Sequence, residues 1–247
     1  MRFARPRSFH AGLAAAAFVA VAAAVSPAVH GQAAADNTLT DAEKAAGWVL
    51  LFDGTTIDKW RANNGTGVPG NWSVAGGAIT AAKGDGADLV SVEEFGDFEL
   101  TVDFKVARNG NSGIFYRGVE AKGAPIYHSA PEFQVIDNEG HPDAKNGPDR
   151  YCGANYALDP PNPASACKPA GEWNSARLVV KGAHVEHWLN GTKVVDYELW
   201  SDKWKAQVAA SKFKAWPGYG LAKTGRLGLQ AHGDEVAFKN LKIRALK

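Results

Sequence analysis

Alternation of apolar and polar positions runs through most of the chain. In "FELTVDFKV", Phe98, Leu100, Val102, Phe104 and Val106 alternate with Glu99, Thr101, Asp103 and Lys105. That period of two predicts a strand of an antiparallel sheet with one wet face. "NSGIFYRG" follows an Asn109-Gly110 turn, and "EFQVI" follows Pro131. "ARLVVKG" and "HVEHWLNGTKVVDYE" come later, the second split by Asn190-Gly191, which predicts a two-residue hairpin turn. "GRLGLQAHG" and "EVAFKNLKIRAL" close the chain; in the last run the apolar phase changes between Phe238 and Leu241, which predicts a bulge near Lys239-Asn240. Helical signals are few. "TDAE" (Thr40 to Glu43) has the form of a capping box and predicts a short helix ending near Gly47. "SDKWKAQVAASKF" predicts a second, from 201 to 213. Many short strands joined by Gly-rich turns predict an all-β sandwich or barrel, formed as one domain.

The first 35 residues break this pattern. Arg2, Arg5 and Arg7 precede an apolar run from Ala11 to Val25, and small residues follow at Ala33 to Ala35. This is the form of a secretory signal. The run is shorter than the ~20 residues a membrane span needs, so an anchor is the lesser alternative. The expectation is an exported protein, periplasmic or secreted, with residues 36–247 as its single domain and no membrane attachment after cleavage. A net charge of +1 points to neither nucleic acid nor an anionic surface. Cys152 and Cys167 are the only cysteines. In an oxidising compartment they are expected to pair, closing a loop of about sixteen residues worth roughly 3 kcal/mol. They lie in residues 138–172, a Pro-, Gly-, Asn- and Asp-rich excursion of the length that often carries function.

"EFQVID" holds the densest candidate chemistry. Simple alternation puts Glu132 and Gln134 opposite Phe133 and Val135, with Asp137 out of phase. A bulge at Val135-Ile136 would return Asp137 to the Glu132 face. Carboxyl, amide and carboxyl would then line one open sheet face, a surface suited to a carbohydrate. The plainer alternative is a solvated strand face and a turn Asp. A retaining glycosidase pair needs carboxyls about 5–5.5 Å apart, whereas two-pleat spacing sets the Cα atoms about 13 Å apart. Gln134 also cannot exchange a proton. The set therefore suits gripping hydroxyls, with one acid or base.

His187 and His232 could move protons near neutral pH, or serve as hydrogen-bonded structural histidines. Gln230 and Asp234 flank His232 at the spacing of one strand face. Arg117 alternates with Phe115, and could meet Glu132, hold an oxyanion, or form a structural ion pair. No cofactor is called for; His141 with Asp143 leaves a divalent metal open. The eight Trp residues offer stacking faces for sugars but are not sorted by the sequence.

"GWVLLFDGTTIDKW", "GNSGIFYRG", "PEFQVID", "GEWNSARLVVKGAHVEHWLNGTKVVDYE" and "GRLGLQAHGDEVAFKNLKIRAL", in that order, resemble the 3-keto-disaccharide hydrolase family. The resemblance runs from about Gly47 to Leu246. It implies a concanavalin A-like jelly roll of two antiparallel sheets, and a carbohydrate substrate whose C3 hydroxyl is already a ketone. Such a ketone acidifies C2–H, so a base, an enolate-oxygen donor and an acid for the leaving oxygen are needed. From the predicted shared polar face, Glu132 or His187 is the expected base. Arg117, Gln134 and His232 are expected donors, and Asp137 and Gln230 orienting groups. The Cys152–Cys167 segment looks like a local elaboration, and Ala231 stands where family members often carry a polar residue. A non-catalytic, lectin-like carbohydrate-binding module and an ordinary β-glycosidase are the alternatives on the same sandwich.

Overall fold

A computed structural model describes residues 1–3 and 35–247. The expected signal segment falls largely on residues 4–34, outside the described residues. Every element belongs to the unit Ala34–Lys247. Its strands are β1 (Val49–Leu50), β2 (Trp60–Ala62), β3 (Trp72–Ala75), β4 (Ala78–Ala81), β5 (Leu89–Phe95), β6 (Phe98–Val106) and β7 (Asn111–Gly118). They continue with β8 (Glu132–Ile136), β9 (Asn174–Lys181), β10 (His184–Leu189), β11 (Thr192–Glu198), β12 (Gly225–Leu229) and β13 (Val236–Ala245). Two helices, α1 (Asp41–Ala45) and α2 (Asp202–Ala210), complete the set, with a few single-turn 3₁₀ segments.

The strands form two antiparallel sheets, as the alternation and the resemblance led one to expect. The larger runs β11-β10-β9-β6-β13-β4-β3, with β1 added on β13; the smaller runs β2-β5-β12-β7-β8. Strands distant in sequence lie side by side, the mark of a jelly roll rather than a meander. Apolar faces of both sheets meet in one core: Phe104 of β6 packs edge-on against Phe133 of β8 at 6.3 Å, among buried Phe98, Leu100, Ile114 and Val135.

Local chemistry sets several of these elements. The Thr40 hydroxyl accepts from the Glu43 amide at 3.1 Å, and Glu43 Oε2 accepts from the Thr40 amide at 2.7 Å, so the capping box is complete. Asn190 (φ 51°) and Gly191 (φ 83°) join β10 to β11; two successive left-handed residues are what a twisted two-residue hairpin turn requires. The bulge in β13 lies between Lys239 and Lys242, with Asn240 at φ 53°. It lets one strand pair with β4 up to Phe238 and with β1 from Lys242. The second helix ends earlier than the pattern suggested. Ser211 is extended, and a separate turn, Lys212–Ala215, follows it.

Two expectations, one about the excursion and one about the strand before it, are corrected. Cys152 and Cys167 are free thiols. They are neighbours, and burial together with the adjoining Cys167 thiol pushes the Cys152 thiol well up. Hydrogen bonds hold the excursion instead. The Gly153 amide donates to Gln134 O at 2.8 Å, the Gln134 amide to Ala154 O, and the Tyr156 amide to Glu132 O. The excursion thus covers the outer edge of β8, which would otherwise present unpaired backbone groups. The bulge in "EFQVID" is absent: β7 and β8 pair one-for-one from Asn111↔Ile136 to Phe115↔Glu132.

Candidate active site

Register decides the floor of the site. Glu132 lies opposite Phe115, Gln134 opposite Gly113, and Asn111 opposite Ile136. On β12's continuation, the Gln230 amide donates to Gly113 O at 3.0 Å. Asn111, Gly113, Glu132, Gln134 and Gln230 therefore share the face of the smaller sheet turned away from the core. Gly113 is there for space. A Cβ on it would lie 2.3 Å from Glu132 Oε1, so the Glu132 side chain is laid across a strand that must be bare at that point.

Loops raise walls on this floor. Tyr156 comes from the excursion, Tyr127 from the turn before β8, and Lys212, Phe213 and Trp216 from the turns after α2; His232 stands at the rim. Together they enclose about 300 Å³. The Tyr127 turn is pinned by a small apolar cluster of Val90, Phe115, Ile126 and Ala130. Ser211 ends α2, and its hydroxyl accepts the Phe213 amide at 3.1 Å; that break brings Lys212 and Phe213 to the pocket. Tyr156 is tied down from two sides. Its hydroxyl donates to Asp143 Oδ2 at 2.9 Å, and Lys212 Nζ donates to its oxygen at 3.2 Å.

Two features make this a chemical site rather than a polar dent. Glu132 is only 5% exposed. Burial pushes its carboxyl up to about 8; Lys212 opposes the rise, and Asp88 and Asp143 add to it. Burial also lowers the Lys212 ammonium, although Glu132 supports its charge. Gln134 is fully buried. Among the described residues neither its amide nitrogen nor its oxygen has a partner, and Asn111 Oδ1 is likewise unpartnered. Unsatisfied buried polar atoms cost about 1–3 kcal/mol each. A cluster of them facing one cavity can be satisfied by the hydroxyls of a polar ligand, or by water until one binds.

The rim holds a histidine–carboxylate chain. Asp234 Oδ2 accepts from the Asn111 amide at 3.1 Å and lies 3.7 Å from His232 Nδ1. Asn111 Nδ2 lies 3.5 Å from His232 Nε2; a donor there leaves Nε2 as acceptor and the ring proton on Nδ1, toward Asp234. On the other side His141 Nε2 is 3.9 Å from the same oxygen. Ligand atoms of His141, His232 and Asp234 lie within 4.8 Å of one another, as a metal set would. The details do not fit one. His141 Nδ1 accepts the Asp143 amide at 3.1 Å, so the neutral ring keeps its proton on Nε2 and offers no lone pair there. Asp143, the other residue of the sequence candidate, is engaged by Tyr156 and Asn146. A second cluster, His184, Glu186 and Asp196, already surrounds the Lys193 ammonium at 3.1 and 2.5 Å.

Four of the anticipated residues, Glu132, Gln134, Gln230 and His232, meet in one pocket. Three do not. His187 is wholly buried between the sheets: Nδ1 donates to Gly153 O at 3.0 Å, Nε2 accepts from Tyr116, and Tyr116 bonds Tyr197. Burial lowers it to about 4, so it stays neutral and structural. Arg117 sits at φ 51° where β7 and β12 fall out of register. Its guanidinium is spent on Gly96 O, Gly182 O and Asp97, at 2.8–3.0 Å. Asp137 caps the turn after β8, accepting from the Asn109 and Glu139 amides at 2.8 and 3.1 Å; with no bulge, its side chain stays off the Glu132 face. Sequence reasoning missed Asn111, Tyr127, Tyr156, Lys212 and Phe213, and left Trp216 unsorted. Only Asn111 carried a signal, the phase of its strand.

Comparison with known proteins adds an independent line. Residues 47–244 match the model of a 3-keto-alpha-glucoside-1,2-lyase-like domain. A 3-keto-disaccharide hydrolase of Bacteroides thetaiotaomicron is 38% identical over 231 residues, covering 82% of this chain and 79% of the relative. Two crystal structures from Parabacteroides distasonis, each named a "putative glycosyl hydrolase", superpose on it. One has a TM-score of 0.81 at 37% identity, over 86% of this chain and all of the other. The second has 0.57 at 26%, over 76% of this chain and all of the other.

Proposed function

The chain belongs to the 3-keto-alpha-glucoside-1,2-lyase-like family, and from that premise we propose that it is a hydrolase of 3-keto-disaccharides working by elimination and hydration. The observation that carries this reading is the Glu132 carboxyl, buried and raised to about 8, beside the unpartnered Gln134 amide. A base of that strength suits removal of a carbon-bound proton better than an ordinary carboxylate would. Glu132 takes the proton from C2, and the electron pair moves toward the C3 oxygen as an enolate. Lys212 supplies positive charge to that oxygen. The enolate then collapses to a C1=C2 double bond, breaking C1–O. Glu132, now carrying the C2 proton, passes it to the departing oxygen. Glu132 then takes a proton from water as the hydroxyl adds to C1, and delivers that proton to C2. Gln134, Asn111 and Gln230 hold the ring hydroxyls.

Paired-carboxylate hydrolysis is disfavoured by Gln134 as the neighbour of Glu132 and by the turn-capping of Asp137. The test is Glu132→Gln on a 3-keto-disaccharide. A loss of at least 100-fold in kcat/KM is expected, along with loss of deuterium uptake at C2 in heavy water. Retention within tenfold, or cleavage of the unoxidised disaccharide, would defeat the reading. The export of the protein belongs to the same proposal; a mature N-terminus near residue 36 in the periplasm or medium is its check.

A further inference from the structure

Trp216 also lines a second cavity. This groove, about 560 Å³, lies between the turn after β7 and the turns leading to β12. Val119, Pro125, Pro217 and Leu221 line it, and Trp216 belongs to both cavities. Val119 and Leu221 are 51% and 55% exposed, among the few large apolar side chains left open to water.

Its chemistry is the opposite of the sugar pocket's. No Asp, Glu, Lys or Arg lines it. The Ser129 hydroxyl already accepts from the Val119 amide and has Val119 O and Ile126 O as acceptors at 2.9 and 3.1 Å. His128 is stacked on Trp216, with ring centroids 4.2 Å apart and planes 20° apart. Tyr127 meets the same indole edge-on at 5.3 Å. A second sugar placed here would find almost nothing to bond its hydroxyls, which would lose their water for no return. A flat apolar group would bury surface against rings that other rings already hold rigid.

We propose that this groove is the leaving-group subsite, and that the enzyme prefers 3-keto-glycosides with an aromatic, apolar aglycone over 3-keto-disaccharides. The inference rests on the elimination reading above, and on Trp216, which lines both cavities. The leaving oxygen would be released beside Trp216, with the aglycone across it.

The experiment compares kcat/KM for the 3-keto forms of phenyl, methyl and glucosyl glucosides of one anomeric configuration. The phenyl compound is expected to exceed the other two at least tenfold, mainly through KM. In Leu221→Asp and Val119→Asp, substitutions at open positions that folding tolerates, the phenyl-to-methyl ratio should fall at least fivefold. Equal values for phenyl and glucosyl substrates, or an unchanged ratio in both variants, overturn the subsite while leaving the elimination reading intact. Turnover of none of the three overturns both. Dissociation of a wild-type dimer by Leu221→Asp, with the ratio unmoved, assigns the groove to a second copy of the chain and overturns the subsite.

Discussion

Glu132 and the glycine beneath it form a single device. The side chain lies across β7 only because Gly113 offers no Cβ to collide with it. Gly113→Ala should therefore push the carboxyl out of place, lowering kcat/KM at least tenfold for about 1–3 kcal/mol of stability. Steady-state kinetics and denaturant melts on the same sample separate the two effects. The raised carboxyl also has a thermodynamic consequence. Its folded value, about 8, exceeds the ordinary 4.5, so the native state holds a proton that the unfolded chain releases between those limits. Stability falls as pH rises through that window. At 1.36 kcal/mol per unit this amounts to on the order of 5 kcal/mol. Glu132→Gln should flatten the alkaline side of the stability profile while abolishing turnover. A stabilising loss of function at pH 8 is the signature of a strained catalytic group.

At the scale of elements, short polar links do what a disulfide was expected to do. Backbone bonds from Gly153, Ala154 and Tyr156 zip the excursion onto β8. The Cys152 amide donates to Asn138 Oδ1, and Asn190 Nδ2 donates to Ala166 O. Cys152 has no exposed surface, whereas Cys167 is half-buried. Iodoacetamide should therefore label Cys167 at least tenfold faster than Cys152 in the reduced native protein, read by peptide mass. The β13 bulge is held in the same manner. Asn240 Nδ2 donates to Asp36 and Asp103 at 2.9 and 2.7 Å, and its left-handed backbone is one that Asn tolerates. Asn240→Ala loses both advantages and should cost about 1–3 kcal/mol in chemical denaturation. Asn240→Gly, which keeps the backbone freedom, should recover part of it.

Across the whole molecule, the two sheets meet around a buried polar knot. His187 on β10 of the larger sheet reaches Tyr116 on β7 of the smaller one, and the excursion at Gly153. Its imidazole is held near 4, below the ordinary 6.5. The native state therefore excludes a proton that the unfolded chain takes up, and stability falls as pH drops through 6.5 toward 4. That loss is on the order of 3 kcal/mol. The two effects cancel between about pH 4.5 and 6.5, so thermal stability should be level there, falling above it through Glu132 and below it through His187. A melt series over pH 4–9 checks this.

Period-two patterning, an Asn-Gly pair, a capping box and a phase slip are signals carried by neighbours in the chain. For that reason β6, the β10–β11 hairpin, α1 and the β13 bulge were legible in the sequence. So were Glu132 and Gln134 as partners on one face, because side chains of a strand alternate whatever lies around it. Asp137 was misjudged because nothing local distinguishes a bulge from a turn cap; the acceptor role was settled by the Asn109 amide from the preceding turn. Arg117 and His187 were misjudged because each is defined by partners more than twenty residues away, Gly182 for one and Tyr116 for the other. Tyr127, Tyr156, Lys212 and Trp216 come from turns with no period, and only the strand order β12-β7-β8 gathers those turns over one face. The sequence by itself determined which strands form and which side chains share each face, since those follow from local stereochemistry. Tertiary structure alone decided which face became a pocket, because enclosure, burial and the raised Glu132 carboxyl depend on chain segments that meet only after folding.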